Sequence, residues 1–375
     1  MRITCERSYL TMALGVASRA VSSRNTLPIL ANVLLETEDD RLKLTATDLD
    51  TAIRCVIPAS VAENGAVAIP AGILKDIVDK LADAPVTLEL QDGKVTVRSG
   101  KSDYTILSLP AEDFPVVPEV SDGSSISIPQ STLKDMLRLT TFAASKEETR
   151  SILMGVLFEA RNDALTLVAT DTHRLAWKKT TLPQAIETPV SAIIPARPLT
   201  ELERVLKDSA EENVTVRFGA SQVQFETDTV TLVSRVLDGQ FPNYEKVIPK
   251  STERKITFDR NEFLSAVRRV FIFAKQNSEK AILETKGDLL QMTAESQDMG
   301  KGYEEVPISM DGTDLKIAFN ARYLMEVLGI VDTDNATLEL TGALNPGILR
   351  AGNGVNADGT GEGSDFLYVV MPMQA

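Results

Sequence analysis

The chain has 375 residues and a formal charge of −14, from 39 Lys and Arg against 53 Asp and Glu. A hydrophobic content of 43% and a charged content of 25% fit a folded globular chain and exclude a disordered, fibrous or disulfide-stapled one. The acidity weighs at first against a polyanionic partner, because a nucleic-acid binder is expected to be basic.

Taken in chain order, helical and paired-strand patterns alternate. Apolar residues at i, i+3, i+4 and i+7 predict helices over 8–21, 72–81, 131–143, 198–206, 261–274 and 323–331. Alternating segments after them predict strand pairs over 32–48, 86–99, 155–171, 214–227, 281–296 and 336–351. The pair at 86–99 turns at Asp92-Gly93, a sequence that favours a tight hairpin. A Gly-rich stretch, 352–365, precedes the last strand. It lacks the Gly-Lys-Ser/Thr ending of a phosphate loop and no helix follows it, so it reads as a hairpin loop.

These elements repeat. Ile69-Pro-Ala-Gly72 returns as Ile194-Pro-Ala-Arg197 and again as Phe319-Asn-Ala-Arg322, each time 125 residues on. Ala-Thr-Asp at 46–48 returns at 169–171, and Phe114-Pro115 returns as Phe241-Pro242. The chain is therefore read as three copies of one α+β unit, over 1–120, 121–250 and 251–375, each with helices packed on one face of antiparallel sheets. The joints are expected near 118–126 and 248–254, where Pro, Ser, Asp and Lys cluster.

Catalytic chemistry is sparse. The single histidine is His173, and there is no Cys-x-x-Cys, His-Glu-x-x-His or Gly-x-Ser-x-Gly motif. No metal, cofactor or catalytic residue is expected. Asp171 beside His173 is the one arrangement that could serve a hydrolase. Its counterpart Asp48 has no histidine near it, so the aspartate reads as a turn cap of the repeat. Cys5 and Cys55 are expected to be reduced and buried. There is no run of about 18 apolar residues. Arg2, Glu6 and Arg7 break the stretch where an export signal needs an apolar core, so the expected location is the cytoplasm.

Charge is unevenly spread. The six helical stretches with their flanks carry +5 together, and the remainder of the chain carries −19. A polyanion, if bound, belongs on the helices.

Several motifs in register resemble the bacterial sliding-clamp family, the beta subunit of DNA polymerase III. They are LPILAN (27–32), LPAEDFP (109–115), ATDTHRLA (169–176), FPNYEKVIP (241–249), FNARYL (319–324) and YVVMPM (368–373), and they span the whole chain. The resemblance implies a non-enzymatic processivity factor. Two chains would close head to tail into a ring of six domains, with twelve helices facing double-stranded DNA. Twelve helices about 10 Å across would leave a hole ~28 Å wide, enough for a duplex and water. Partners implied are the polymerase catalytic subunit, the clamp loader, and other polymerases and repair proteins. Without DNA, a monomeric peptide scaffold is the competing reading.

By motif, the resemblance also implies sites. DNA contacts map to Arg24, Lys146, Arg150 and Arg197. A pocket for partner peptides maps in the second copy to Leu153, Thr170, Thr172, His173, Arg174 and Leu175, with Pro242, Lys246 and Val247. The third copy adds Asn320, Tyr323, Leu344, Val369, Val370, Met371, Pro372 and Met373. The dimer contact maps to Tyr104 and Ile106 against Ile272 and Phe273. Departures from the family pattern are Thr172 where Gly is usual, Lys246 where Arg is common, and Gln374-Ala375 at the end.

Overall fold

The computed structural model describes residues 1–21, 27–354 and 365–374. Six α-helices occupy the predicted places: α1 (Arg7–Ala17), α2 (Ala71–Lys80), α3 (Gln130–Arg138), α4 (Ala196–Val205), α5 (Arg260–Ala274) and α6 (Ala321–Ile330). Their buried stripes follow the sequence period. In α5 it runs Phe263, Ala266, Val267, Val270 and Ala274. Helices α5 and α6 begin on side-chain caps. Asp259 accepts the Glu262 N–H at 2.8 Å, and Asn320 accepts the N–H groups of Arg322 and Tyr323 at 2.9 and 3.4 Å.

The chain forms two compact units. One holds residues 1–133, 186–188 and 197–236; the other holds 134–185, 189–196 and 237–375. In the first unit a five-stranded sheet runs Ser60–Glu63, Arg2–Cys5, Val86–Gln91, Lys94–Ser99, Ser102–Leu107. Asp92 and Gly93 take φ of 52° and 71° at its hairpin, the left-handed pair that Asp-Gly was expected to supply. An eight-stranded sheet runs Ser124–Pro129, Asn213–Phe218, Gln222–Glu226, Val230–Arg235, Thr51–Pro58, Arg41–Thr47, Asn32–Glu38, Ala66–Pro70. Helix α1 packs on α2 and on the strands Arg41–Thr47 and Thr51–Pro58.

The second unit repeats the plan. A seven-stranded sheet runs Gly155–Thr170, Arg174–Pro195, Phe366–Val370, Gly347–Ala351, Asn335–Leu340, Arg254–Asp259, Ser309–Asp311. A four-stranded sheet runs Gly300–Pro307, Leu289–Ser296, Lys280–Lys286, Lys316–Asn320, and α5 packs on it and on α6.

Compact units and repeats thus differ. The eight-stranded sheet joins strands of copies one and two through Val230–Arg235 on Thr51–Pro58. The seven-stranded sheet joins copies two and three through Arg174–Lys178 on Phe366–Val370. Most of the Gly-rich stretch, 355–364, lies outside the described residues, and the strand expected after it is present as Phe366–Val370.

Cys5 and Cys55 are free and buried, as expected. Burial pushes both thiols up to about 12. Neither should react with iodoacetamide in the native protein at pH 8, and both should react in urea; mass spectrometry reads the difference. Asp259→Ala, which leaves the first turn of α5 uncapped, should cost about 1 kcal/mol in urea unfolding.

Candidate functional site

The second unit contains a pocket of about 170 Å³. It grows from the turn between two strands. Thr170 Oγ1 donates to the Arg174 carbonyl at 2.6 Å. Asp171 Oδ1 accepts the N–H groups of His173 and Arg174, both at 3.0 Å. Those bonds hold Thr172 at φ 79°, a left-handed conformation that costs a β-branched residue energy and that Gly would take freely. Thr172 Oγ1 in turn accepts from Arg150 Nη1 at 2.9 Å. The ladder with the last strand pairs Arg174 with Val370 and Leu175 with Val369. The His173 carbonyl then accepts the Met371 N–H at 2.9 Å.

The turn and that ladder assemble the pocket. Its walls are Leu153, Thr170, Thr172, Arg174 and Leu175 on one side. Pro242, Tyr244, Val247, Val369 and Met371 complete it. Leu157, Val168, Phe241, Ile348 and Leu367 form the apolar core with Leu175 and Val369 behind it.

Arg174 anchors the polar side. Nε donates to Asp171 Oδ2 at 2.9 Å, Nη1 pairs with Glu326 on α6, and Nη2 donates to the Phe142 carbonyl at 3.0 Å. The guanidinium lies 4.4 Å from the centre of the Tyr323 ring. Burial alone would lower its pKa, but Tyr368 and Glu326 around it raise it, so the side chain stays a cation. Tyr368 is fully buried, which pushes its hydroxyl up. That hydroxyl donates to the Tyr323 carbonyl at 3.3 Å.

Nine of the seventeen residues expected at the pocket line it: Leu153, Thr170, Thr172, Arg174, Leu175, Pro242, Val247, Val369 and Met371. Others stand apart from the walls. His173 and Lys246 are exposed. Val370 is buried on the other side of its strand, because successive residues alternate across a sheet. Asn320 is used as the cap of α6, and Tyr323 lies beneath Arg174. Leu344 is 80% exposed. Pro372 is half-buried, and Met373 N–H donates to the Ala318 carbonyl. Tyr244 was missed. It stands two residues after Pro242 in the same motif, and its hydroxyl donates to Glu159 at 2.8 Å.

Both carboxylate oxygens of Asp171 are committed, to the turn and to Arg174, so the aspartate is the turn cap that the repeat suggested. Among the described residues no group of three His, Cys, Asp or Glu could hold a metal, and no helix is long and apolar enough to cross a membrane.

The residues expected at DNA fall in several environments. Arg24 lies outside the described residues. Lys146 is exposed. Arg150 is tied to Thr172 at the pocket and sits 3.7 Å from Glu147. Arg197 is exposed and 3.7 Å from Asp48.

Of the residues expected at a dimer contact, Tyr104 is 44% exposed on Ser102–Leu107, the edge of its sheet. Ile272 is 57% exposed near the end of α5. Phe273 is half-buried against Gly302 on Gly300–Pro307, the edge of another sheet. Ile106 departs from the expectation: it is only 5% exposed, since it pairs with Val95 and joins its own core.

The three domains of the DNA polymerase III beta subunit match the chain in order: the N-terminal domain over residues 1–118, the central domain over 127–243 and the C-terminal domain over 245–374. A beta sliding clamp of Synechococcus elongatus is 36% identical over 383 residues, covering 100% of this chain and 99% of that protein. One of Staphylococcus aureus is 32% identical, covering 93% of this chain and 95% of that protein. Among solved structures, sliding clamps of Pseudomonas aeruginosa and Bartonella birtlesii, each bound to griselimycin, superpose with a TM-score of 0.93 at 31% and 32% identity. Both comparisons cover 100% of each chain. With its three domains matched in order along the chain, the chain belongs to the DNA polymerase III beta subunit family: it is a DNA sliding clamp of processive replication.

Proposed function

We propose that two copies of this chain close into a ring around duplex DNA, and that the pocket beside Thr170–Arg174 receives a short apolar segment of each client protein. The clients are the replicative polymerase, the clamp loader, and other polymerases and repair proteins. The ring tethers them to the template in the cytoplasm.

One observation supports closure above the others. Ser102–Leu107 and Gly300–Pro307 are both edge strands, and each carries at least one exposed large apolar side chain. Tyr104 and Leu107 stand on the first; Tyr303 is on the second and Ile272 near it. An edge strand leaves backbone N–H and C=O groups free, and a long apolar edge is a template for another strand. Pairing one chain's first edge with the other chain's second edge would use both. Tyr104, Ile272 and Phe273 would pack beside the new ladder, with Ile106 beneath it as core.

Sliding asks for weak, delocalised attraction to phosphates and no reading of bases. The helix cations suit this. Arg19 and Arg204 pair with Glu201, Lys75 with Asp79, and Arg138 with Asp135 and Asp332. Such pairs at a surface are worth little and screen one another. Lys146 and Arg197 are exposed and would meet phosphates, with Arg24 and Arg150 assigned by motif alone. The acidic remainder of the chain would repel DNA from other surfaces.

The pocket suits a peptide because it joins an apolar cleft to a few fixed polar groups. Arg174, held by Asp171 and Glu326, would stiffen its floor rather than reach for the ligand.

Sedimentation should give the mass of two chains at micromolar concentration, and Ile272→Asp should give one; a wild-type monomer would overturn the ring. Loaded protein should stay on closed circular DNA and run off after linearisation, and equal retention on both would contradict encirclement. Val247→Arg, a change at a half-buried wall, should abolish griselimycin binding in calorimetry and leave the dimer intact. Arg174→Ala strands two carboxylates and should lower stability by about 3 kcal/mol in urea unfolding.

A further inference from the structure

The turn that frames the pocket is built twice. In the first unit Thr47 Oγ1 donates to the Thr51 carbonyl at 2.9 Å, and Asp48 Oδ1 accepts the N–H groups of Asp50 and Thr51 at 3.1 and 2.7 Å. Leu49 takes φ 79°, the value of Thr172. The neighbouring ladder pairs Thr51 with Ser234 and Ala52 with Val233, as Arg174 and Leu175 pair with Val370 and Val369.

Beside the two turns the copies diverge. In copy two Val168, Trp177 and Tyr244 belong to or pack on one apolar cluster, and the Tyr244 hydroxyl donates to Glu159. The repeat places Thr45, Arg54, Val117 and Glu36 at the same points of copy one. There a cleft of about 310 Å³ remains under residues 114–117. Thr45, Arg54, Leu34 and Phe114 are among its walls. Thr45 is only 3% exposed, and among the described residues its hydroxyl and the Arg54 Nε have no hydrogen-bond partner. Buried polar groups are seldom left so, and replacing Val and Trp by Thr and Arg carries a cost unless something bonds to them.

We propose that this cleft is a second ligand site, and that it takes a short apolar segment carrying a carboxylate. Arg54 supplies N–H donors with no acceptor of its own at Nε. Its Nη1 donates at 3.0 Å to Glu119, an exposed carboxylate that an incoming one would replace. Glu36 is neutralised by Lys43 at 3.0 Å, and Glu112 stays exposed at the rim. Leu34, Phe114, Val116 and Val117 would hold the apolar stem.

The test uses the full-length protein with labelled Leu and Val methyl groups. The probes are acetyl-Val-Leu-Asp-amide and its Asn analogue. The Asp peptide should give saturable shifts at Leu34, Val116 and Val117, and the Asn peptide should bind about tenfold more weakly. Thr45→Val with Arg54→Trp, the residues copy two already accommodates, should abolish those shifts. Griselimycin titration of the same variant reads the other pocket independently. Shifts that do not saturate, that are equal for both peptides, or that survive the double variant would overturn the proposal.

Discussion

Backbone pairing across the boundary of one repeat and the next is the constraint on which the rest depends. Val230–Arg235 pairs with Thr51–Pro58, and Phe366–Val370 pairs with Arg174–Lys178. A sheet of one repeat alone would end there in an edge with free N–H and C=O groups. The ladders satisfy those groups and set the register residue by residue, and a slip of one residue would turn every side chain to the wrong face. Val369 reaches the pocket and Val370 the other face because of that register.

The turns at Thr47–Thr51 and Thr170–Arg174 sit at the ends of the joining strands, so each boundary offers the same frame. What it becomes depends on the side chains hung on it. In copy two Arg174 ties the frame to Glu326 on α6 and to the Phe142 carbonyl, which makes a cleft with fixed walls. In copy one the short, uncharged Thr51 stands at that point. One backbone plan thus carries different surface chemistry at each boundary, which is how a repeated fold acquires distinct sites.

The charge has a similar logic. A net −14 would argue against DNA if charge were spread evenly. The segregation of cations onto the helical stretches reverses that inference, since a polyanion responds to local potential. Many of those cations also have a carboxylate within the chain, such as Arg19 with Glu201. Such pairing would weaken each contact with a phosphate, which suits a protein that must not stop at one place.

By itself the sequence determined the repeat, the six helices and most of the strand pairs, because these follow from local periodicity and from turns such as Asp92-Gly93. The resemblance of its motifs to the sliding-clamp family also marked nine of the pocket's walls. Only the tertiary structure decided which repeats share a sheet, because strand partners far apart in the chain leave no local signal. It alone buried Ile106 while leaving Tyr104 exposed, two residues of the same strand that alternation treats alike. It moved Asn320 from the pocket to a helix cap and brought Tyr244 in. And it alone showed that Thr45 and Arg54, which the repeat aligns with Val168 and Trp177, line a cleft with polar atoms left unpartnered: both are ordinary residues of a strand until packing removes their water.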